Sequence, residues 1–294
     1  MARRWYREAS YGQQEVGESD NHYSIVVMLF RDFPLQGSIT YEQIDEAHTR
    51  LLKVAIEVRN VLERHCIPYS LFFGSVIGAV RHKGFVPWDL DMDFGVFNDY
   101  EGTVQVLKRE LPPWLVVLDN EADPNYCASW VKIVDRYSEF HATTFGGDND
   151  FKFRGLHVDL YNIIQTTYNE APSYRRNEAI GYYERKYLAG MLSEVDYKAL
   201  CAKVKSVYQK EVAERDRVSP DRPVYAFLKF FEGESDTIFP LKEYEFEGEF
   251  FLGPNDYDLF LKCCYYKGDY MQMPPYEQRD MKMDQIFIRP IPEM

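Results

Sequence analysis

Across 294 residues the chain sets 47 acidic side chains against 34 basic ones, a net charge of −13. That balance repels polyanions and argues against a nucleic-acid groove, whose affinity comes from neutralising phosphates. With 46% apolar residues the chain buries a sizeable core, and no stretch approaches the roughly 20 apolar residues of a membrane span.

Residues 1–38 begin polar, carry no signal-peptide pattern, and end in Pro34, Gln36 and Gly37, which reads as an extension ahead of one domain spanning 39–294. From Thr40 the pattern turns helical. Ile44, Ala47, Leu51, Val54, Ala55, Val58 and Val61 recur at helical spacing through Tyr41 to His65, and Thr40 with Gln43 resembles a capping box. Ile67 to Phe73 predicts a short buried strand, Gly74-Ser75 a turn, and Val76 to Arg81 a short helix. Asp89 to Val96 alternates acidic and apolar residues, which is strand periodicity. Tyr100 to Glu110 predicts a helix stopped by Pro112-Pro113. Further strands are expected at Leu115–Leu118, Ala128–Val134 and Leu156–Ile164. Residues 174–218 read as a helical insertion broken near Ser193, and the remainder from Pro220 as turn-rich and aromatic. The expected class is therefore α/β (α+β), a mixed sheet flanked by helices.

The five cysteines, Cys66, Cys127, Cys201, Cys263 and Cys264, are odd in number and irregularly spaced. Neither a disulfide framework nor a zinc site follows, and reduced thiols in the cytosol are the expectation.

The chemistry concentrates in Trp88-Asp89-Leu90-Asp91-Met92-Asp93. On a strand Asp89, Asp91 and Asp93 share one face at a spacing of about 7 Å, while Leu90, Met92 and Phe94 point the other way. Three like charges so placed need open water, retained protons or a cation between them. A calcium loop counted from Asp89 would want Gly at its sixth position and an acid at its twelfth, and these are Phe94 and Tyr100. An acidic edge strand facing water suits the alternation as well as a metal site does. The flanks favour chemistry. The Gly74-Ser75 turn, followed by Arg81, His82 and Lys83, supplies donors for phosphate ahead of acids for a divalent metal. A later acid, Asp159, alternates with His157 and Tyr161; a lone Asp in a strand is as readily a structural hydrogen-bonder.

Arg81-His82-Lys83-Gly84-Phe85-Val86-Pro87-Trp88-Asp89-Leu90-Asp91-Met92-Asp93 resembles the signature run of the LicD family, which includes the fukutin-type proteins and belongs to the polymerase β-like nucleotidyltransferase superfamily. Phe239-Pro240-Leu241-Lys242, Phe246-Glu247-Gly248, Pro254-Asn255-Asp256-Tyr257-Asp258 and Gly268-Asp269-Tyr270-Met271 resemble the family's C-terminal part, so the likeness spans roughly residues 42 to 280. Leu90 replaces the family's frequent Asp, and Ser75-Val76-Ile77 its T-L-L. The resemblance implies a nucleotidyltransferase-like fold. It also implies an Mg²⁺- (or Mn²⁺-) dependent phosphotransferase moving phosphocholine, ribitol phosphate or a similar group from a CDP-activated alcohol to a glycan or lipid-linked glycan.

Carried onto this sequence, it makes Asp91 and Asp93 metal ligands, with Asp159 completing the site or accepting the attacking proton, and Asp89 either a further ligand or a support behind the ligands. Gly74, Ser75, Arg81, His82 and Lys83 fall on the phosphate side, with Lys132 a further candidate there and His82 equally a structural hydrogen-bonder. Trp88 either stacks on the base or packs under its loop; Asp269 and Tyr270 either shape the acceptor cleft or form a turn. The expected location is cytoplasmic, peripheral at the inner membrane face. Nucleotidyl transfer, mannosylphosphate transfer and a non-catalytic binding relative stay open as alternatives.

Overall fold

The computed structural model describes residues 35, 38–97, 99–141, 151–215, 221–228, 231–265, 269–279 and 285–292. Almost all of the N-terminal extension, and Gly268 of the C-terminal resemblance, lie outside them. Helix α1, Tyr41–Arg64, opens on the expected capping box and buries Ile44, Ala47, Leu51, Val54, Ala55, Val58, Val61 and Leu62. Each fully buried aliphatic side chain of that stripe contributes about 1.5–3 kcal/mol, which fixes the helix on the sheet.

The sheet comprises β1 (Tyr69–Leu71), β2 (Asp91–Phe97), β3 (Leu115–Leu118), β4 (Val131–Asp135) and β6 (His157–Thr167), in the order β1-β2-β6-β4-β3. Only β2 and β6 are parallel neighbours along that path; β1 with β2, β4 with β6 and β3 with β4 are antiparallel. Helix α3, Tyr100–Glu110, follows β2 as expected. A short strand β5, Ser138–His141, pairs outside this sheet with β11, Gln285–Ile288.

After β6 come α4, Ala171–Leu188, and α5, Glu194–Glu214, divided at Ser193, whose hydroxyl caps α5. This is the helical pair expected over 174–218, beginning three residues earlier. The C-terminal part holds more regular structure than its turn-rich composition suggests. Strands β7 (Pro223–Phe227) and β8 (Phe231–Glu234) extend the sheet from the far half of β6. Beyond the short helix α6 (Ser235–Ile238), β9 (Lys242–Phe246) and β10 (Glu249–Gly253) form a hairpin ahead of α7 (Tyr257–Cys264). Helix α7 sets Phe260 edge-on against Phe72 at 4.7 Å. Strong local Gly and Pro punctuation hid these strands: β7 is set by its pairing with the distant β6, and the β9–β10 hairpin turns at Glu247-Gly248.

Two local expectations need correcting. The strand of aspartates begins at Asp91, not Asp89, because its parallel partner β6 begins at His157, which stands opposite Asp91. Asp89 lies in the preceding turn, its N–H bonded to the Val86 carbonyl. The helix after β1, α2, starts at Phe73 and runs to Ile77, then passes into a π-helical turn Gly78–His82. Gly74 and Ser75 therefore lie inside its first turn and do not precede it.

Candidate functional site

The parallel pairing of β2 with β6 sets Asp91 beside His157 and Asp93 beside Asp159, and the antiparallel pairing of β4 brings Lys132 beside Asp159. Three central strands thus place five polar side chains at adjacent positions. β2 lies between β1 and β6, and Asp93 and Asp159 are buried, so the face is not an acidic edge open to water. Asp91, His157 and Asp159 each present a donor atom, all within 4.8 Å of one another.

The chemistry of this donor set fits a divalent cation. Burial, then the neighbouring Lys132 ammonium, hold His157 below the ordinary histidine range. The neutral ring donates Nδ1–H to the Gly155 carbonyl at 3.0 Å, which leaves the Nε2 lone pair facing the cluster. A backbone carbonyl on the far nitrogen is how ligating histidines are commonly oriented. The buried Oδ1 of Asp159 accepts no hydrogen bond, although Lys132 Nζ stands 3.0 Å away outside hydrogen-bond geometry. A buried oxygen without a hydrogen bond is costly, and a bound cation is one partner that satisfies it.

Asp93 stands beside this trio. Its N–H donates to the Ser75 hydroxyl at 2.8 Å, and its Oδ1 accepts from the Tyr161 hydroxyl at 2.7 Å. Tyr161 also lies 3.2 Å from Asp159 Oδ2, so one proton bridges the acids of adjacent strands. Burial, then Asp91 and Asp159, push the Asp93 carboxyl well above the ordinary carboxylate range.

Gly74 explains itself by contact. A Cβ there would come within 2.9 Å of Asp89 Oδ2 and 3.5 Å of Asp93 Oδ2, so the missing side chain is what lets both carboxylates stand against α2. Ser75 donates its N–H to the Phe72 carbonyl and accepts the Asp93 N–H on its hydroxyl oxygen, tying α2 to β2. Arg81 donates through Nε to His82 Nε2 at 2.9 Å and through Nη1 to the Tyr270 carbonyl at 2.7 Å. His82 is pulled down to a pKa of about 4 by burial and then by Arg81, which keeps it a neutral acceptor. Lys83 takes the left-handed conformation at the end of the π turn with its side chain exposed. Its carbonyl accepts from Glu247, while the Glu247 carboxylate accepts Phe85 N–H at 3.0 Å. A Cβ on Gly84 would fall 1.9 Å from that carboxylate. The β9–β10 hairpin therefore clamps the loop that leads to the acids.

Trp88 is half-buried against the core with Arg279 over its ring at 5.9 Å. Asp269 accepts Met271 N–H inside its own turn, and the Tyr270 hydroxyl donates to Asp258. Sequence reasoning placed His157 and Tyr161 on the face of Asp159 but gave neither a role; the H-x-D-x-Y alternation was the signal. It had no means to find Tyr265, at the end of α7, whose hydroxyl lies in the field of Asp93, Asp89 and Asp91.

Residues 66–187 match the family model described as LicD/FKTN/FKRP, nucleotidyltransferase domain. The chain is 29% identical over 236 residues to the lipopolysaccharide cholinephosphotransferase LicD of Haemophilus influenzae, an alignment covering 74% of this chain and 87% of that protein. Over 58 residues it is 38% identical to the ribitol 5-phosphate transferase FKRP of Homo sapiens, a stretch covering 20% of this chain and 12% of that protein. The same identity over the same length is found with the mouse protein. The signature residues gathered on β2 and β6 fall within residues 66–187, the part that matches the LicD/FKTN/FKRP model, and the likeness to LicD runs along most of the chain.

Proposed function

We propose that the protein is a metal-dependent transferase that moves an alcohol-phosphate group, phosphocholine or ribitol phosphate among the candidates, from a CDP-linked donor to a glycan hydroxyl. The observation that carries this reading is the packing of Asp91, His157 and Asp159 donors within 4.8 Å of one another, beside the Lys132 ammonium. Its support from relatives is that one of them is named a cholinephosphotransferase and another a ribitol 5-phosphate transferase.

In this reading Asp91, His157 and Asp159 hold the divalent ion, which supplies charge neutralisation at the phosphates. Two carboxylates with one imidazole suit Mn²⁺ better than Mg²⁺, whose preference is for oxygen alone. Asp93 is shared with Tyr161 and held above its ordinary pKa, so it is suited to retaining or accepting a proton next to the ion. That makes Asp93 the candidate base for the attacking hydroxyl, in place of the ligand role the signature run implies. Asp89, outside the strand and against Gly74, remains a candidate further ligand. Arg81 is engaged with His82 and with the Tyr270 carbonyl, so the phosphate side falls to the exposed Lys83, with Lys132, itself bonded to His157 and paired with Asp159, at the edge of the ion site. Gly74 and Ser75 contribute the shape of that wall. No helix among the described residues is long and apolar enough to cross a membrane, and an acceptor on a lipid carrier would be met at the membrane surface.

The test is a donor screen. CDP-choline, CDP-ribitol and CTP are each incubated with Mn²⁺ or Mg²⁺ and a lipopolysaccharide acceptor, with CMP and pyrophosphate measured separately. CMP released from a CDP-alcohol, and abolished by Asp159→Asn, is the expected result. Pyrophosphate from CTP with no CMP from either CDP-alcohol would sink the reading and make the protein a nucleotidyltransferase.

A further inference from the structure

Lys132 lies among the proposed ligands themselves. It faces Asp159 across the β4–β6 ladder, and its side chain is only 16% exposed. Its ammonium stands 2.7 Å from His157 Nε2 and 3.0 Å from Asp159 Oδ1, two of the three donor residues. Because Nδ1–H of His157 is committed to the Gly155 carbonyl, Nε2 of the neutral ring owns a single lone pair, and Lys132 donates into it. One lone pair cannot serve an ammonium hydrogen and a metal ion together. Asp159 Oδ1, lacking hydrogen-bond geometry to Lys132, is held by charge alone.

We propose that the Lys132 ammonium is a built-in occupant of the divalent-cation site: it compensates the buried acids while no ion is bound, and it must leave His157 when one is. This rests on the metal reading above and adds to it an exchange, in which arrival of the ion frees an ammonium at the rim where the donor phosphates come to lie. An exposed lysine beside a metal site would only repel the ion through solvent. A buried one that shares a ligand's lone pair competes with it atom for atom.

The exchange has a signature opposite to that of an ordinary supporting residue. Lys132→Met removes both a competitor and a like charge, so Mn²⁺ affinity rises by at least about tenfold, on an effective dielectric near 20. Meanwhile the metal-free protein loses thermal stability, because its acids lose their internal cation. The measurement is titration with Mn²⁺ alone, followed by the electron paramagnetic resonance signal of the free ion, on wild type, Lys132→Met and Asp91→Asn. Lys132→Gln, which keeps a neutral donor and the side-chain bulk, serves if the methionine variant fails to fold; it too is expected to bind Mn²⁺ more tightly than wild type. Tighter binding in either Lys132 variant supports the exchange, including the case where wild type binds too weakly to detect. Unchanged or weaker binding in the folded variants, with Asp91→Asn losing the ion, overturns the exchange and leaves the metal reading standing. No binding by wild type or by any variant overturns both.

Discussion

Asp91→Asn is the substitution whose two effects separate most cleanly. The Asp91 carboxylate receives no hydrogen bond from the described residues, yet its oxygen lies within 4.8 Å of donor atoms on Asp159 and His157. At an effective dielectric near 20, two unit charges at that separation repel by about 3.5 kcal/mol. Asp91 is only partly buried and the Lys132 ammonium offsets part of the repulsion, so the relief from removing its charge is at most about 1–2 kcal/mol. Asparagine is close in shape, so little packing is lost with the charge. In EDTA the variant is therefore expected to melt higher than wild type, by about 2–6 °C for a chain of this size. Mn²⁺ reverses the order: wild type gains stability by binding the ion and the variant does not. Thermal melts by circular dichroism, in EDTA and in Mn²⁺, give both numbers in one experiment. A variant that melts lower in EDTA, or that keeps the full Mn²⁺-induced rise, would refute the reasoning, because Asp91 would then be a structural residue.

Other substitutions separate scaffold from site. Arg50 is 9% exposed, pairs with the fully buried Asp135 at 3.0 Å and donates to the Arg289 carbonyl at 2.7 Å. Arg50→Met strands that carboxylate and is expected to cost about 3–5 kcal/mol in urea unfolding; a loss below 1 kcal/mol (roughly the value of a surface pair) would count against it. Gly74→Ala adds a methyl 2.9 Å from Asp89 Oδ2 in a helical turn that tolerates alanine. Its melting temperature should hold while transfer falls by about tenfold or more, as a misplaced ligand allows; full activity would remove Asp89 from the site. His48 is held at a pKa of about 4 by burial, against the aid of its hydrogen bond to the Asp89 carbonyl. The fold favours its neutral form, so its contribution is complete above the ordinary value of 6.5 and is lost as pH falls through 4. His48→Gln should flatten the acid side of the stability curve measured between pH 7 and pH 4, and an unchanged curve would contradict that.

Much of this architecture was legible residue by residue. The stripe from Ile44 to Val61 fixed α1, and the Asp91-Met92-Asp93 alternation with His157-Val158-Asp159 marked two strands bearing acids on one face. Sequence patterns could not show that these strands are parallel neighbours in register, because pairing between residues 91 and 157 is a long-range choice. For that reason the sequence set Asp93 level with Asp91, and could show neither the Tyr161 hydroxyl on Asp93 Oδ1 nor His157 beside Asp91 and Asp159. The start of β2 was misplaced for the same cause: Asp89 continues the alternation but finds no partner on β6. Arg81 and His82 read as phosphate donors from their charge. Their partners, Tyr270 and each other, depend on a C-terminal segment some 190 residues away that no local pattern connects to them.

The central claim is that Asp91, His157 and Asp159 together hold one divalent ion. A crystal grown with Mn²⁺ and CDP, with diffraction collected at the manganese absorption edge, tests it most directly. The expected result is an anomalous peak bounded by those three side chains, with Lys132 withdrawn from His157. A peak between Asp89 and Asp91 that leaves His157 bonded to Lys132, or no peak at the cluster, would contradict the claim.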